Sequence, residues 1–245
     1  MTTIYATVLF GVFAAAILRG FTGFGFGLAA VPLLSIALPP AEVVPFVVVL
    51  QVVVGLGGLR SSWAQCDWRS IRRLVPGLLV GIPIGIMALS VLPANPVRLA
   101  IGLIVAASVL LLWRGARLSP RPSRLLTGSV GLLSGIVSGL ASMGGPPIVV
   151  YLLALGHAPI VVRATSMVFF MLSGMTSMVP MAATGLIDRQ TLVWTAVSAP
   201  VLFLGSWIGN WGFHRARPHH HRATALIVLS ILSIILIGRA LMGQS

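Results

Sequence analysis

Apolar residues run along this chain in eight long stretches, roughly 4–36, 43–59, 74–92, 97–113, 125–155, 164–184, 192–213 and 223–241. The breaks between them are short and rich in arginine, proline or histidine. About 20 apolar residues in a helix span a hydrocarbon core roughly 30 Å thick. Long runs without polar alternation predict helices, because backbone polar groups must be satisfied internally in lipid; a β-barrel shows short alternating segments instead. The pattern therefore predicts an all-α polytopic membrane protein. No break is long enough to hold a soluble domain, so the chain is one integral membrane domain.

Segments one and five exceed the others in length and carry glycine clusters near their middles. The first reads Arg19-Gly20-Phe21-Thr22-Gly23-Phe24-Gly25-Phe26-Gly27, followed by Pro32. The fifth reads Ser138-Gly139-Leu140-Ala141-Ser142-Met143-Gly144-Gly145-Pro146-Pro147. Glycine costs nearly 1 kcal/mol against alanine inside a helix, and proline about 3 kcal/mol. Both segments are thus predicted to break at these motifs.

The similarity extends beyond the clusters. Asp67 precedes Gly81 and Gly85, with Arg98 opening the fourth segment; Asp188 precedes Gly205 and Gly209, with Arg222 opening the last. Gly81, Gly85 and Arg98 lie 124 positions before Gly205, Gly209 and Arg222, and the clusters are offset by about 119. This predicts two four-segment repeats, near 1–118 and 119–245. If segments one and five each enter and return as a hairpin, twelve loop arginines share one side: Arg60, Arg69, Arg72, Arg73, Arg114, Arg117, Arg121, Arg124, Arg163, Arg215, Arg217 and Arg222. Arg98, Arg189 and Arg239 then face out. Positive loops mark the cytoplasmic side, so the count favours hairpins and inverted repeats.

Composition sharpens this picture. Hydrophobic residues make up 58% of the chain and charged residues 8%, and the net charge of +13 comes from arginines set against Glu42, Asp67 and Asp188. In a soluble chain such a balance would point to nucleic acid; here the loop arginines are accounted for by topology, and no nucleic-acid partner is expected. The single Cys66 permits no internal disulfide. The first apolar stretch lacks a basic leader and is too long for a signal core, so it is read as part of the mature protein.

Unwound backbone at membrane depth is tolerated only where protein or a watery cavity surrounds it, so its cost points to a site. Half-helix N-termini offer free N–H groups and a positive dipole end, which suit an anion. Gly23, Gly25 and Gly27 in one cluster, and Gly144 and Gly145 in the other, let an anion approach those groups, with Thr22 and Ser142 adding hydroxyls. Close helix packing is the competing reading; two clusters at matching positions favour the site. For Gly81, Gly85, Gly205 and Gly209, packing is the better reading. Arg19 lies within an apolar segment, where it neutralises an anionic substrate, lines a vestibule, or snorkels to an interface. Gln51 is a polar ligand or an interhelical hydrogen bond. Thr165 and Ser166 open segment six as helix caps or ligands. His219, His220 and His221 read as a charged interfacial turn. All three acids lie near loops, so a coupled proton must ride on the substrate or an interfacial group. No catalytic constellation is present, and an enzyme is not expected.

Gly20-Phe21-Thr22-Gly23-Phe24-Gly25-Phe26-Gly27 with Val31-Pro32, and Ser138-Gly139 through Gly144-Gly145-Pro146, resemble the duplicated signature of the sulfite exporter TauE/SafE family, also called the 4-toluene sulfonate uptake permease family. Arg163-Ala164-Thr165-Ser166, Asp67-Trp68-Arg69 and Asp188 fit its pattern too, and the resemblance covers essentially the whole chain. It implies a secondary transporter of the bacterial inner membrane for sulfite, sulfoacetate or another organosulfonate, with no cofactor and no ATP. Phe26, Ser142 and Pro146 stand where the family pattern favours glycine, which leaves the substrate within that class open. The residues alone also allow a channel-like pore, or a transporter of another small anion such as a carboxylate. Coupled protons or other ions are the partners such transport draws on, and the apolar outer face of the bundle leaves room for a homodimer.

Overall fold

The computed structural model describes residues 2–22, 26–114 and 122–215, together with 230, 231, 233–235, 237, 238 and 240. All regular structure among the described residues is helical. The helices are α1 (Thr2–Thr22), α2 (Phe26–Ser35), α3 (Pro40–Trp63), α4 (Trp68–Val91), α5 (Ala94–Arg114), α6 (Arg124–Ala141), α7 (Gly145–Ala154), α8 (Pro159–Ala183) and α9 (Arg189–Arg215). Helices α3, α4, α6, α8 and α9 are each long and apolar enough to cross a bilayer.

Local chemistry explains where several of these helices begin. Prolines stand in the first turns of α3, α7 and α8, where no N–H is needed and the fixed φ is already helical. Ser123 caps α6 by accepting from Leu126 N–H at 3.1 Å. Asp67 caps α4, accepting from Arg69 N–H at 3.0 Å and from Ser70 N–H at 3.3 Å. Because Pro159 starts α8 ahead of Thr165 and Ser166, those two residues sit in its second turn and do not cap it.

Burial raises the pKa of Asp67, but the Ser70 hydroxyl and amide, the His157 ring and the Arg69 amide outweigh burial and hold the carboxyl below its ordinary value. The depressed pKa means that the carboxylate's stabilisation is present above the unfolded value of about 3.9 and is lost as pH falls through the lower folded value. Asp67→Ala is expected to cost about 1 kcal/mol at neutral pH, the usual value of a cap. Thermal unfolding in detergent should show that gap narrowing below about pH 4; a gap that stays constant in acid would mean that the charge contributes nothing.

Two helix pairs pack with their backbones nearly touching. A side chain at Gly77 would meet Gly128 and Leu132, one at Gly81 would meet Leu132 and Ile136, and one at Gly85 would meet Ile136 and Leu140. The numbers rise together, so α4 and α6 run parallel. Gly205 faces Phe13 and Ala16, while Gly209 faces Ile17 and Gly20, so α1 and α9 are parallel too. Between these pairs α3 and α8 cross antiparallel: Val52 lies against Gly174, Gly55 against Met171, and the Ser62 hydroxyl against Met167 Sδ at 3.4 Å.

These registers decide which helix ends share a side. The Asp67 N–H donates to Thr165 Oγ1 at 2.9 Å, and Asp67 Oδ2 lies 3.3 Å from His157 Nε2, so the α3–α4 turn meets the α7–α8 turn. Helix α6 starts on that side, because it runs parallel to α4, and α7 turns back toward it, with the Thr127 and Tyr151 hydroxyls 2.9 Å apart. At the opposite side α2 ends beneath α5: Arg98, 6% exposed, donates from Nε to the Ser35 carbonyl at 3.0 Å and from a guanidinium N–H to Asn95 Oδ1 at 3.2 Å. On that side, away from the arginine-rich turns, Arg98 satisfies a carbonyl left open at a helix end. In the last apolar stretch, the Ser233 hydroxyl donates to the Gly102 carbonyl of α5 at 2.9 Å.

Candidate functional site

The first turn of α2 meets the turn between α6 and α7. Helix α6 stops at Ser142, whose φ of 53° is the sole positive value at a non-glycine residue among the described residues. Its N–H donates to Ser138 O at 2.7 Å, and the Met143 N–H reaches Val137 O at 3.4 Å, closing the helix end. A left-handed serine costs of order 1 kcal/mol and persists only where its surroundings hold it. The family resemblance favours glycine at this position, and this backbone conformation is the one that glycine adopts without strain.

What holds Ser142 is close backbone contact. A Cβ on Gly27 would collide with the Ser142 carbonyl oxygen and lie 3.3 Å from Gln51 Oε1. Gly144 packs on the Ser138 hydroxyl and the Ser134 carbonyl, and Gly145 on the Phe170 ring and Leu28. Gln51 bridges α3 to α8 by donating to the Phe170 carbonyl at 3.3 Å. The hydroxyls of Ser134, Ser142 and Ser166 are buried without a hydrogen-bond partner. Buried polar atoms are normally paired, so three orphans along α6 and α8 call for an explanation.

A cavity of about 480 Å³ lies toward the side of the α3–α4 turn. Arg19 and Arg163 both line it, and no carboxylate does. Ser62, Gln65, Ser206 and Asn210 add polar groups, while Val54, Ile160, Met167, Phe203 and Trp207 form an apolar wall. Arginine's planar fork suits the oxygens of a sulfonate or carboxylate, and a wall with few competing charges strengthens that attraction. The arrangement fits an anion with a carbon body.

Of the residues read from the sequence, Gly27, Gln51, Ser142, Gly144 and Gly145 cluster about the helix turn, and Arg19 lines the cavity. Thr165 is engaged by the Asp67 N–H, beside the cavity residue Ala164. Thr22 ends α1, while its side chain, Gly23, Gly25 and the three-histidine run at 219–221 lie outside what is described. Sequence reasoning missed Arg163, Ser62, Gln65, Ser206 and Asn210 as cavity residues. A usable signal was present for one of them: Asn210 is the sole amide in the stretch 192–213, which is otherwise nearly apolar.

Residues 8–236 match the family model of the sulfite exporter TauE/SafE family. The chain is 24% identical over 196 residues to a probable sulfite/organosulfonate exporter TauE of Cupriavidus necator, covering 77% of this chain and 76% of that protein. It is 26% identical over 193 residues to a probable inner membrane transporter protein TsaS of Comamonas testosteroni, covering 75% and 78% respectively. No solved structure matches the chain.

Proposed function

Because the chain belongs to the sulfite exporter TauE/SafE family, we propose that it is a secondary transporter carrying a small sulfur-containing anion, an organosulfonate or sulfite, across the inner membrane. It is a multi-pass inner-membrane protein. The single structural observation that supports an anionic substrate is the cavity lined by both Arg19 and Arg163 and by no carboxylate; sulfur as its class comes from the family. Its apolar wall favours a sulfonate with a carbon body over bare sulfite; the name of the Cupriavidus necator relative gives both.

The route through the protein follows from the repeat. Exchanging α1, α2, α3 and α4 with α6, α7, α8 and α9 turns the close pair α1–α9 into α6–α4 and leaves α3–α8 as itself, which supports two halves near 1–118 and 119–245. Gln51 and Phe170, joined by a hydrogen bond, lie 119 positions apart, the offset of the glycine clusters. The helix ends bearing Arg60, Arg69, Arg72, Arg124 and Arg163 fall on one side, which the positive-inside rule makes cytoplasmic. On this reading α1–α2 and α6–α7 are opposed hairpins, and the anion passes from the arginine cavity to the turn where Gly27 meets Ser142. There Gly144 and Gly145 offer backbone donors and Ser142 a hydroxyl, with Gln51 alongside. Thr165 and Ser166 on α8, and the Thr22 side chain, Gly23 and Gly25, which lie outside what is described, complete the proposed binding set.

The test is flux of labelled sulfite, sulfonates and carboxylates in proteoliposomes, with and without a pH gradient. Saturable sulfonate flux supports the proposal, and its response to the gradient identifies the coupled ion. Flux of carboxylates alone would move the substrate class, and flux that never saturates would favour a pore. Gly27→Ala drives a methyl into the Ser142 carbonyl and is expected to lower flux at least about tenfold, since misplacement at a site by about 1 Å can cost a hundredfold. Unchanged flux in this variant would remove the Gly27–Ser142 turn from the route.

A further inference from the structure

A second concavity, of about 650 Å³, shares no lining residue with the arginine cavity and opens at the exposed Trp63, Arg72 and Pro76. It is lined by Trp63 at the end of α3 and by Trp68, Ile71, Arg72, Val75 and Pro76 of α4. The two indole rings stand with centroids 4.3 Å apart at 59°, and the Trp68 indole Nε1–H donates to the Trp63 carbonyl at 3.2 Å. Trp63 is 53% exposed. The Arg72 side chain has neither an ion pair nor a hydrogen bond to any described residue, so its guanidinium stands open in an otherwise apolar, aromatic groove. Pro76, one turn further into α4, has no N–H to give to the Arg72 carbonyl and adds to the apolar wall. Tryptophans belong at the headgroup level of a bilayer, and the surrounding Arg60, Arg69 and Arg73 mark this end as the positively charged one.

We propose that this groove is a binding site for an anionic phospholipid of the cytoplasmic leaflet, of the phosphatidylglycerol type. The phosphate sits on Arg72, and an acyl chain runs along Val75 and Pro76 past the tryptophans. A zwitterionic choline lipid offers the same chain but cancels the charge, so the site discriminates by headgroup charge. It sits where α3 turns into α4, the turn held to α8 through Asp67 and Thr165, so a bound lipid would brace the mouth of the arginine cavity from outside.

The experiment is native mass spectrometry of the intact protein, released from mixed micelles containing equal amounts of phosphatidylglycerol and phosphatidylcholine, with phosphatidylethanolamine added in a second series. Wild-type protein should retain phosphatidylglycerol preferentially. Arg72→Gln should reduce that retention about fivefold, the contribution of one arginine near an anionic headgroup, and leave phosphatidylcholine unaffected. Arg69→Gln, outside the groove, should change neither. Equal retention of the two lipids by wild-type protein, or equal loss in the two arginine variants, would overturn the site and reduce it to general charge attraction. Preferential retention of phosphatidylethanolamine would overturn the headgroup assignment. Both arginines are exposed, and neither variant disturbs the core.

Discussion

Arg19→Gln is expected to raise the KM for sulfonate flux about 10- to 100-fold, and Arg163→Gln to do the same, with a smaller change in maximal rate. A charge-assisted hydrogen bond contributes about 1.5–3 kcal/mol, and each 1.4 kcal/mol is about tenfold in affinity. The two guanidiniums line one cavity with no carboxylate in its wall, so neither can take over the other's share of the anion's charge. Arg19→Lys keeps a charge but loses the planar fork, and should fall between wild type and Arg19→Gln. The measurement is the concentration dependence of flux in proteoliposomes, with the unfolding midpoint of each variant recorded beside it. If a well-folded Arg19→Gln retains the wild-type KM, the anion does not dwell in this cavity.

The largest expected effect on stability comes from α4 and α6. In Gly81→Ala the new methyl would collide with the Leu132 carbonyl oxygen and stand 2.8 Å from Ile136 N. These are backbone atoms in the middle of a helix and cannot rotate away, so the two helices must separate along their contact. Overpacking of this kind costs about 1–3 kcal/mol for one methyl. Gly209→Ala is expected to cost as much at the other close pair, where its methyl would strike the Ile17 carbonyl and approach Gly20 Cα at 3.0 Å. Gly128→Ala supplies the contrast: it lies within α6 with nothing inside 4 Å, and should stabilise by about 0.5–1 kcal/mol through helix propensity alone. Denaturation in detergent distinguishes these cases. Equal responses at Gly81 and Gly128 would mean that the α4–α6 approach is not as close as described.

The glycine result also separates two readings that sequence leaves side by side. Gly81, Gly85, Gly205 and Gly209 repeat at one spacing, and packing was the better reading of them; their neighbours are the backbones of α6 and α1. Gly27, Gly144 and Gly145 belong to a second class, since their neighbours include the Ser142 carbonyl, the Ser138 hydroxyl and the Phe170 ring where helices stop and start. In the sequence the two classes differ only as clusters against pairs spaced by four. The distinction lies in whether a glycine faces a continuing helix or a helix end.

From the sequence alone came the membrane class, the apolar stretches, the positions of the two glycine clusters and the resemblance to a transporter family. Each of these rests on local quantities, such as run length, propensity and the order of small residues, that can be read without knowing what a helix touches. The parallel pairing of α4 with α6 and of α1 with α9, the convergence of Arg163, Ser206 and Asn210 on Arg19, and the burial of Arg98 under Ser35 were decided only by the tertiary structure. The physical reason is that lipid tails are as apolar as leucine. In water, a helix reveals its inner face because the outer one is polar; in a bilayer both faces are apolar, and the side that meets protein is chosen by steric fit and a few polar contacts between distant parts of the chain.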